Sequence, residues 1–275
     1  MIRFAITGLL AASAVLGASG ATAQTWSGPY MGVAIGDTKV KESDETVVFD
    51  TNLDGNYGDT VNTTANVNAF SPGFCDGKYV GTAPAAGCTE DGSEENLSVR
   101  LGYDWQMGSF VFGLVGEVSA IDASDSVSAF STTPAGYSFT REIRSLNSVR
   151  ARAGYDLGTW LPYVTAGYAQ ADLHRTFSTT NGLNSFTATN GDDGKGYQVG
   201  LGIEKRFGDH WSVGLEYLHT SLDDDGITVR AGPGNALPTN PFIIVNKSGT
   251  DMRRTEDTFK LDSVMLTVNF RFGAM

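Results

Sequence analysis

The sequence predicts an all-β chain, an eight-stranded antiparallel transmembrane β-barrel with short periplasmic turns and long extracellular loops, and three observations carry that expectation. Apolar and polar residues alternate over windows of about ten residues, the period of a strand with one apolar face. The connections between these windows are tight and long by turns. The chain also opens like an exported protein: Met1-Ile2-Arg3 gives a positive start, Phe4 to Leu16 is apolar and small, and Ala21-Thr22-Ala23 is a small-x-small cleavage site. The apolar stretch is shorter than the ~20 residues that cross a bilayer as a helix. The expected organisation is a signal peptide over 1–23 and a barrel domain over 24–275.

The clearest strand places Leu97, Val99, Leu101, Tyr103 and Trp105 on one face and Ser98, Arg100, Gly102, Asp104 and Gln106 on the other. A second sets Tyr197, Val199, Leu201, Ile203 and Phe207 against Gln198, Gly200, Gly202, Glu204 and Arg206. Lys205 breaks its apolar row, close enough to the strand end for the amine to snorkel. Near the end Val264, Leu266, Val268, Phe270 and Phe272 oppose Ser263, Met265, Thr267, Asn269 and Arg271. With these as anchors the strands run from about Ser27 to Lys41, Asn96 to Gln106, Phe110 to Ile121, Arg141 to Leu157, Leu161 to Phe177, Gly194 to Phe207, Trp211 to Leu222 and Thr258 to Phe272. Met107-Gly108-Ser109, Gly158-Thr159-Trp160 and Gly208-Asp209-His210 are the tight connections. Short turns at one end and long loops at the other mark an outer-membrane barrel.

Energetics orients the two faces. A charge on a barrel's lipid face costs about 2–4 kcal/mol at the midplane, so the apolar rows point outward. Arg100, Glu117, Arg150, Arg152, Glu204, Arg206, Glu216 and Arg271 then share the lumen, where opposite charges can pair. A soluble lipocalin-type barrel would reverse the faces. Tyr103, Trp105, Trp160, Tyr163, Phe207, Trp211, Phe270 and Phe272 lie beside the short turns, where an aromatic girdle at the periplasmic interface belongs.

Composition narrows the function. The 275 residues carry a formal charge of −12, with 34 glycines and only 18% charged residues. A nucleic-acid partner is not expected, since phosphate binding needs a basic face. Two cysteines and three histidines are too few for a cysteine-rich zinc module. Export favours one bridge between Cys75 and Cys88 over two free thiols. Every later apolar run is broken within about a dozen residues, which excludes a helical membrane protein.

The segments WSGPYMGVAIG (Trp26 to Gly36), GYDWQMGSFVFGLVGEVS (Gly102 to Ser119), RARAGYDLGTWLPYVTAGYA (Arg150 to Ala169), VGLGIEKRFGDHWSVGLEYLH (Val199 to His219) and VMLTVNFRFG (Val264 to Gly273) resemble the eight-stranded outer-membrane barrels of alphaproteobacteria. These are the outer-membrane immunogenic proteins, similar in architecture to the OmpA membrane domain. The likeness covers most strands and turns and little of the loops. It implies a surface barrel tied to envelope integrity, surrounded by outer-membrane lipids and lipopolysaccharide, with haemin or a host component as a possible surface ligand. It also implies that the barrel-assembly machinery reads the last strand through Val264, Leu266, Val268, Phe270 and Phe272, although the chain continues to Gly273-Ala274-Met275. An OmpA-type peptidoglycan-binding module is not expected.

Candidate functional residues fall in the loops and at the outer strand ends. Glu42 to Glu95 holds eleven carboxylates against Lys78 alone, which reads as either a solvated acidic loop or a stapled recognition loop for cationic partners. Asp223-Asp224-Asp225-Gly226 and Asn190-Gly191-Asp192-Asp193-Gly194 lack the alternate carboxylates of a calcium loop. His174 and His219 are the histidines placed to meet haem iron, and His210 sits in a periplasmic turn. His219, Ser221 and Asp223 to Asp225 are the parts of a Ser-His-Asp site, but same-face residues two apart sit about 7 Å from each other along a strand. Eight strands leave room only for side chains, so a narrow channel is the alternative to a surface protein. No catalytic, cofactor-binding or metal residues are assigned, and the chain reads as a non-enzymatic outer-membrane protein without a cofactor.

Overall fold

The computed structural model describes residues 26–41, 45–89, 93–191 and 194–272. The expected leader and the tail from Gly273 to Met275 lie outside these residues, as do Glu42, Asp44, Glu90, Asp91, Asp192 and Asp193. Thirteen strands are present among the described residues: β1 (Gly28–Val40), β2 (Val47–Asp50), β3 (Gly73–Asp76), β4 (Ser93–Met107), β5 (Phe110–Ser131), β6 (Ala135–Tyr155), β7 (Trp160–Thr179), β8 (Ser185–Asn190), β9 (Gly194–Phe207), β10 (Trp211–Asp223), β11 (Ile227–Gly232), β12 (Thr250–Arg254) and β13 (Thr258–Arg271). Eight close a ring in the order β1, β4, β5, β6, β7, β9, β10, β13, and β13 pairs back onto β1. Every neighbour in the ring is antiparallel.

Both faces follow the alternation. On β4, Leu97 (57% exposed), Val99 (54%) and Leu101 (43%) face out while Arg100 (3%) faces in, which rules out the lipocalin arrangement. From Leu97 to Met107 the outward row spans about ten rises of ~3.4 Å, and a tilt of about 45° makes that roughly 24 Å, the height of an outer-membrane apolar band. The three short turns each hold a glycine in the left-handed region, Gly108 (φ 62°), Gly158 (φ 85°) and Gly208 (φ 65°). The other four connections all leave the opposite end.

Two corrections concern the wall. Tyr163 is not part of the girdle; it is buried in the lumen, its ring lying where a Cβ on Gly202 would stand, with the Arg152 guanidinium 5.1 Å from its centroid. Tyr30 occupies the same kind of gap over Gly102. The lumen is also not polar throughout. Towards the outer end Ile121, Ile143, Leu146, Leu173, Leu222, Phe259 and Leu261 form a buried apolar layer across it.

The central hairpin extends further than the sequence predicts. β5 runs to Ser131 and β6 starts at Ala135, ten residues beyond Ile121 and six before Arg141 respectively. Asp125 to Phe130 are buried on both faces, so no alternation marks them. β4 leaves β5 at Ile121, and β3 takes over that edge from Val127 to Phe130.

Candidate functional site

The lower lumen is filled by ion pairs. Arg100 bridges Glu216 (2.7 Å) and Glu117 (2.5 Å), and Arg150 meets Glu117 at 3.1 Å and Gln198 at 2.6 Å. Nearer the periplasm Arg152 binds Asp104 (2.8 Å) and Glu204 (3.0 Å), and Arg271 reaches Asp104 at 2.9 Å. Four guanidiniums thus meet four carboxylates, all at most 5% exposed. Such groups leave water only when paired and hydrogen-bonded. Arg206, expected among them, is only half-buried at the periplasmic mouth, 5.3 Å over the ring of Trp26. Trp26, Val111 and Leu161 pack together at this end. The lower lumen is thus filled by buried, paired side chains.

Above the apolar layer lies a second ionic layer, built partly from loops. Arg141 of β6 contacts Glu45 (2.7 Å), Asp125 (2.6 Å) and Asp224 (3.2 Å). Arg254 of β12 donates to Glu45 (2.6 Å) and Asp125 (2.5 Å), and Arg175 of β7 to Asp224 (2.6 Å). Burial alone would raise the Asp224 carboxyl, but Arg141, Arg175 and the Gly226 N–H outweigh it and hold it below its ordinary 3.8. Glu45 goes the other way, because burial outweighs its guanidinium partners and pushes its carboxyl up.

The four outer connections fold into a cap on this layer. β2, β12, β11 and β8 pair as a four-stranded sheet, which covers a core that includes Phe49, Phe70, Tyr137, Val229, Phe242 and Met252. Phe70, Tyr137 and Phe242 stand 5.4–5.7 Å apart between ring centroids. The acidic first loop is therefore not merely solvated: Val47, Phe49, Val61 and Phe70 bury in the cap, and Glu45 anchors it. Asp50 turns its carboxylate onto the backbone N–H groups of Leu53 (2.7 Å) and Gly55 (2.8 Å). Cys75 and Cys88 form the expected bridge, across a hairpin whose Tyr79 N–H donates to Ser128 on β5 (2.9 Å).

At the tip of the cap is a cavity of about 200 Å³. Ala69 and Phe70 come from the first connection, Ser131 to Ala135 from the second, Thr180 to Leu183 from the third and Asn240 to Phe242 from the fourth. Beside it Asn181 donates to Tyr137 Oη and Asn184 (both 3.0 Å), and Asn240 donates to Asn184 (3.0 Å). These amides fix the third and fourth connections against the central hairpin.

Residues 8–272 match the outer membrane protein beta-barrel domain. The chain belongs to that family. Among curated proteins it is 27% identical over 165 residues to the 22 kDa outer membrane protein of Rhizobium leguminosarum bv. viciae, covering 58% of this chain and 70% of that one. It is 29% identical over 159 residues to the 25 kDa outer-membrane immunogenic protein of Brucella melitensis biotype 1, covering 52% of this chain and 60% of that protein's length. Among solved structures, Ail, the attachment invasion locus protein of Yersinia pestis, aligns at a TM-score of 0.33 and 11% identity over 90% of this chain and 99% of its own. The outer membrane protease OmpT of Escherichia coli aligns at 0.41 and 8% over 90% and 98%. Neither structural likeness is close enough to carry a functional argument. Membership places this outer membrane barrel protein in the outer membrane, with lipid around its apolar wall.

Within this family member His174 and His219 lie on the outer surface of the wall. His174 is exposed on β7 opposite Glu142, and His219 sits on β10, with β9 between the two strands. They do not converge on one ligand position. His210 Nδ1 lies 3.0 Å from the Arg271 carbonyl in its turn. The Ser-His-Asp parts are also rearranged. His219 pairs with Asp262 of β13 at 2.7 Å, and Tyr217 donates to the same oxygen at 2.8 Å. Asp224, the buried member of the expected acidic run, is committed to Arg141 and Arg175. Asp262 could not be paired with His219 from the sequence, because 42 residues separate the two and β10–β13 register depends on the intervening cap. The cap cavity was missed for a similar reason: its lining comes from four distant segments.

Proposed function

We propose that this outer membrane barrel protein supports the envelope and presents a recognition surface, with the barrel as a rigid base and the four-loop cap as the part that meets a ligand. The carrying observation is that all four outer connections contribute to one cavity on one shared core. Loops without a ligand-directed role need not converge, whereas binding sites are commonly loops held by a rigid scaffold. The same reading is non-enzymatic: the cap cavity is lined by rings, amides and the hydroxyls of Ser131, Thr132, Thr133 and Thr180, with no histidine, carboxylate or amine among its lining residues to serve those hydroxyls as a base. The barrel-assembly machinery would read the outward row of β13, and a leader over 1–23 would be removed during export.

A narrow channel is the competing reading, and the paired lower lumen argues against it. Planar-bilayer conductance of the folded protein separates the two. Silent or flickering traces support a filled barrel, and stable porin-sized openings overturn it. The envelope role is tested in a strain lacking the protein. Detergent sensitivity should be repaired by the wild-type chain and also by a Leu183→Glu variant, whose change is confined to the cavity rim; failure of the wild type to repair it sinks this part of the reading.

A further inference from the structure

The cap cavity differs in chemistry from the molecule around it. The chain has a formal charge of −12, and buried ion pairs lie beneath the cap, yet among the described residues none that lines this cavity is Asp, Glu, Lys, Arg or His. An ion placed there would meet no countercharge, and burying an unpaired charge is costly. The net negative charge of the chain also repels anions from a distance. Phe70, Tyr137 and Phe242 supply the apolar part of the lining, and their mutual packing holds the rings in place.

The polar part is a set of neutral groups with bonding capacity left over. Asn181 is spent, since its amide donates to Tyr137 Oη and Asn184 while its Oδ1 accepts from the Leu183 and Asn184 N–H groups. Thr180 Oγ1 accepts from the Gly136 N–H at 3.0 Å and keeps its own proton to donate. Asn240 Nδ2 donates one hydrogen to Asn184 and holds a second. The hydroxyls of Thr132 and Thr133, both exposed at the tip between β5 and β6, have no partner among the described residues. The volume of about 200 Å³ is the space of roughly seven waters at ~30 Å³ each, below the ~300 Å³ of the smallest drug-sized pockets. One six-membered ring fits, with the rest of a chain leaving past the exposed Thr133 and Leu183. An uncharged ring with an apolar face and a hydroxylated edge is a pyranose. We propose that the cavity binds one neutral pyranose residue at the end of a glycan, its C–H face towards Phe70, Tyr137 and Phe242 and its hydroxyls towards Thr132, Thr133, Thr180 and Asn240. The assignment rests on the cap being the part that meets a ligand, and it gives that ligand a chemical class.

The test is titration of methyl glucoside, methyl mannoside and methyl galactoside into the full folded chain, in a detergent without a sugar headgroup, read by saturation-transfer NMR. At least one should bind with a millimolar apparent Kd, and its uronate, in which a carboxylate replaces the hydroxymethyl group, about tenfold more weakly. Thr132→Val with Thr133→Val keeps side-chain volume and removes both hydroxyls, which should weaken binding about tenfold. Thr132→Ser with Thr133→Ser keeps the hydroxyls and should bind like wild type, which separates their loss from misfolding. Competition by the cell's own purified surface polysaccharide and by neutral host glycans then assigns the source, and displacement of the pyranoside by either supports the site. Equal affinity of wild type and the valine pair overturns it, as does a uronate that binds as tightly as the neutral sugar. Phenol bound where no pyranoside binds overturns the sugar and leaves the cap as a ligand site. With neither bound, the cavity fails as a ligand site altogether.

Discussion

The two ionic layers of the lumen have the same composition and different suppliers. In the lower one, four arginines and four carboxylates all come from membrane strands whose register is fixed by continuous pairing with both neighbours. In the upper one, three arginines meet three carboxylates, but Glu45, Asp224 and Arg254 come from the outer connections. Both layers are neutral and buried, so each holds its members in place by the cost of separating them. The lower layer therefore ties strand to strand, whereas the upper one ties cap to barrel. Two levels of stability follow, with a barrel that can remain closed while the cap opens.

The largest effect is expected at Arg152. Replacing it with Met leaves Asp104 with Arg271 alone and Glu204 with no closer guanidinium than Arg271 at 3.9 Å. An uncompensated buried charge costs about 3–5 kcal/mol. Urea titration followed by the heat-modifiable gel shift should show the whole barrel weakened by that amount. An unchanged midpoint would mean that the lower layer does not lock the strands.

Arg141→Met should act on the cap instead. Each of its three carboxylates keeps one other arginine, Arg254 for Glu45 and Asp125, and Arg175 for Asp224. The cost falls at the lower end of the same range, about 3 kcal/mol, and it is charged to cap ordering. Limited proteolysis should cut the cap at a raised rate while the gel shift of the barrel stays close to wild type. Joint loss of both would erase the distinction between the layers.

The same contrast separates what could be read from the sequence. All eight membrane strands were legible, because lipid on one side and ions on the other impose alternation on Leu97 to Met107 or Val264 to Phe272. The arginines and carboxylates of the lower layer were legible for the same reason. The cap was not, since its strands are four to six residues long and bury both faces in part, as Val47-Val48-Phe49 shows, and the stretch of β5 beneath them, Asp125 to Phe130, is buried on both faces. Its core also joins residues as distant as Phe49 and Met252, and no local pattern pairs them. Tyr163 was misplaced because position beside a turn does not reveal parity; it shares the inward row of Leu161 and Thr165, which are also buried.

Acid should reach the upper layer through Asp224. Its carboxyl is held below 3.8, so its stabilising contribution is complete above about pH 4 and is lost as pH falls through the lowered value. Glu45 has the opposite sign, because its raised carboxyl contributes more as pH falls. Asp224→Asn removes the first without the second. Cap proteolysis of the wild type should accelerate below about pH 4, and the variant, weaker at pH 7, should show a flatter curve there. A parallel acid limb in the two would assign the sensitivity to another group.

The smallest effect tests the wall, where no ionic layer is involved. Lys205 interrupts the outward apolar row of β9, and its ammonium stands 5.0 Å from the Trp160 ring and 5.3 Å from that of Phe207. The amine thus reaches the periplasmic interface across two girdle aromatics, where a cation over an exposed ring is worth about 0.5–1 kcal/mol. Lys205→Met keeps the apolar stem and removes the charge. It should lower the barrel midpoint by no more than that amount and leave cap proteolysis unchanged. A shift as large as that of Arg152→Met would show that the girdle, rather than the paired lumen, holds the barrel closed.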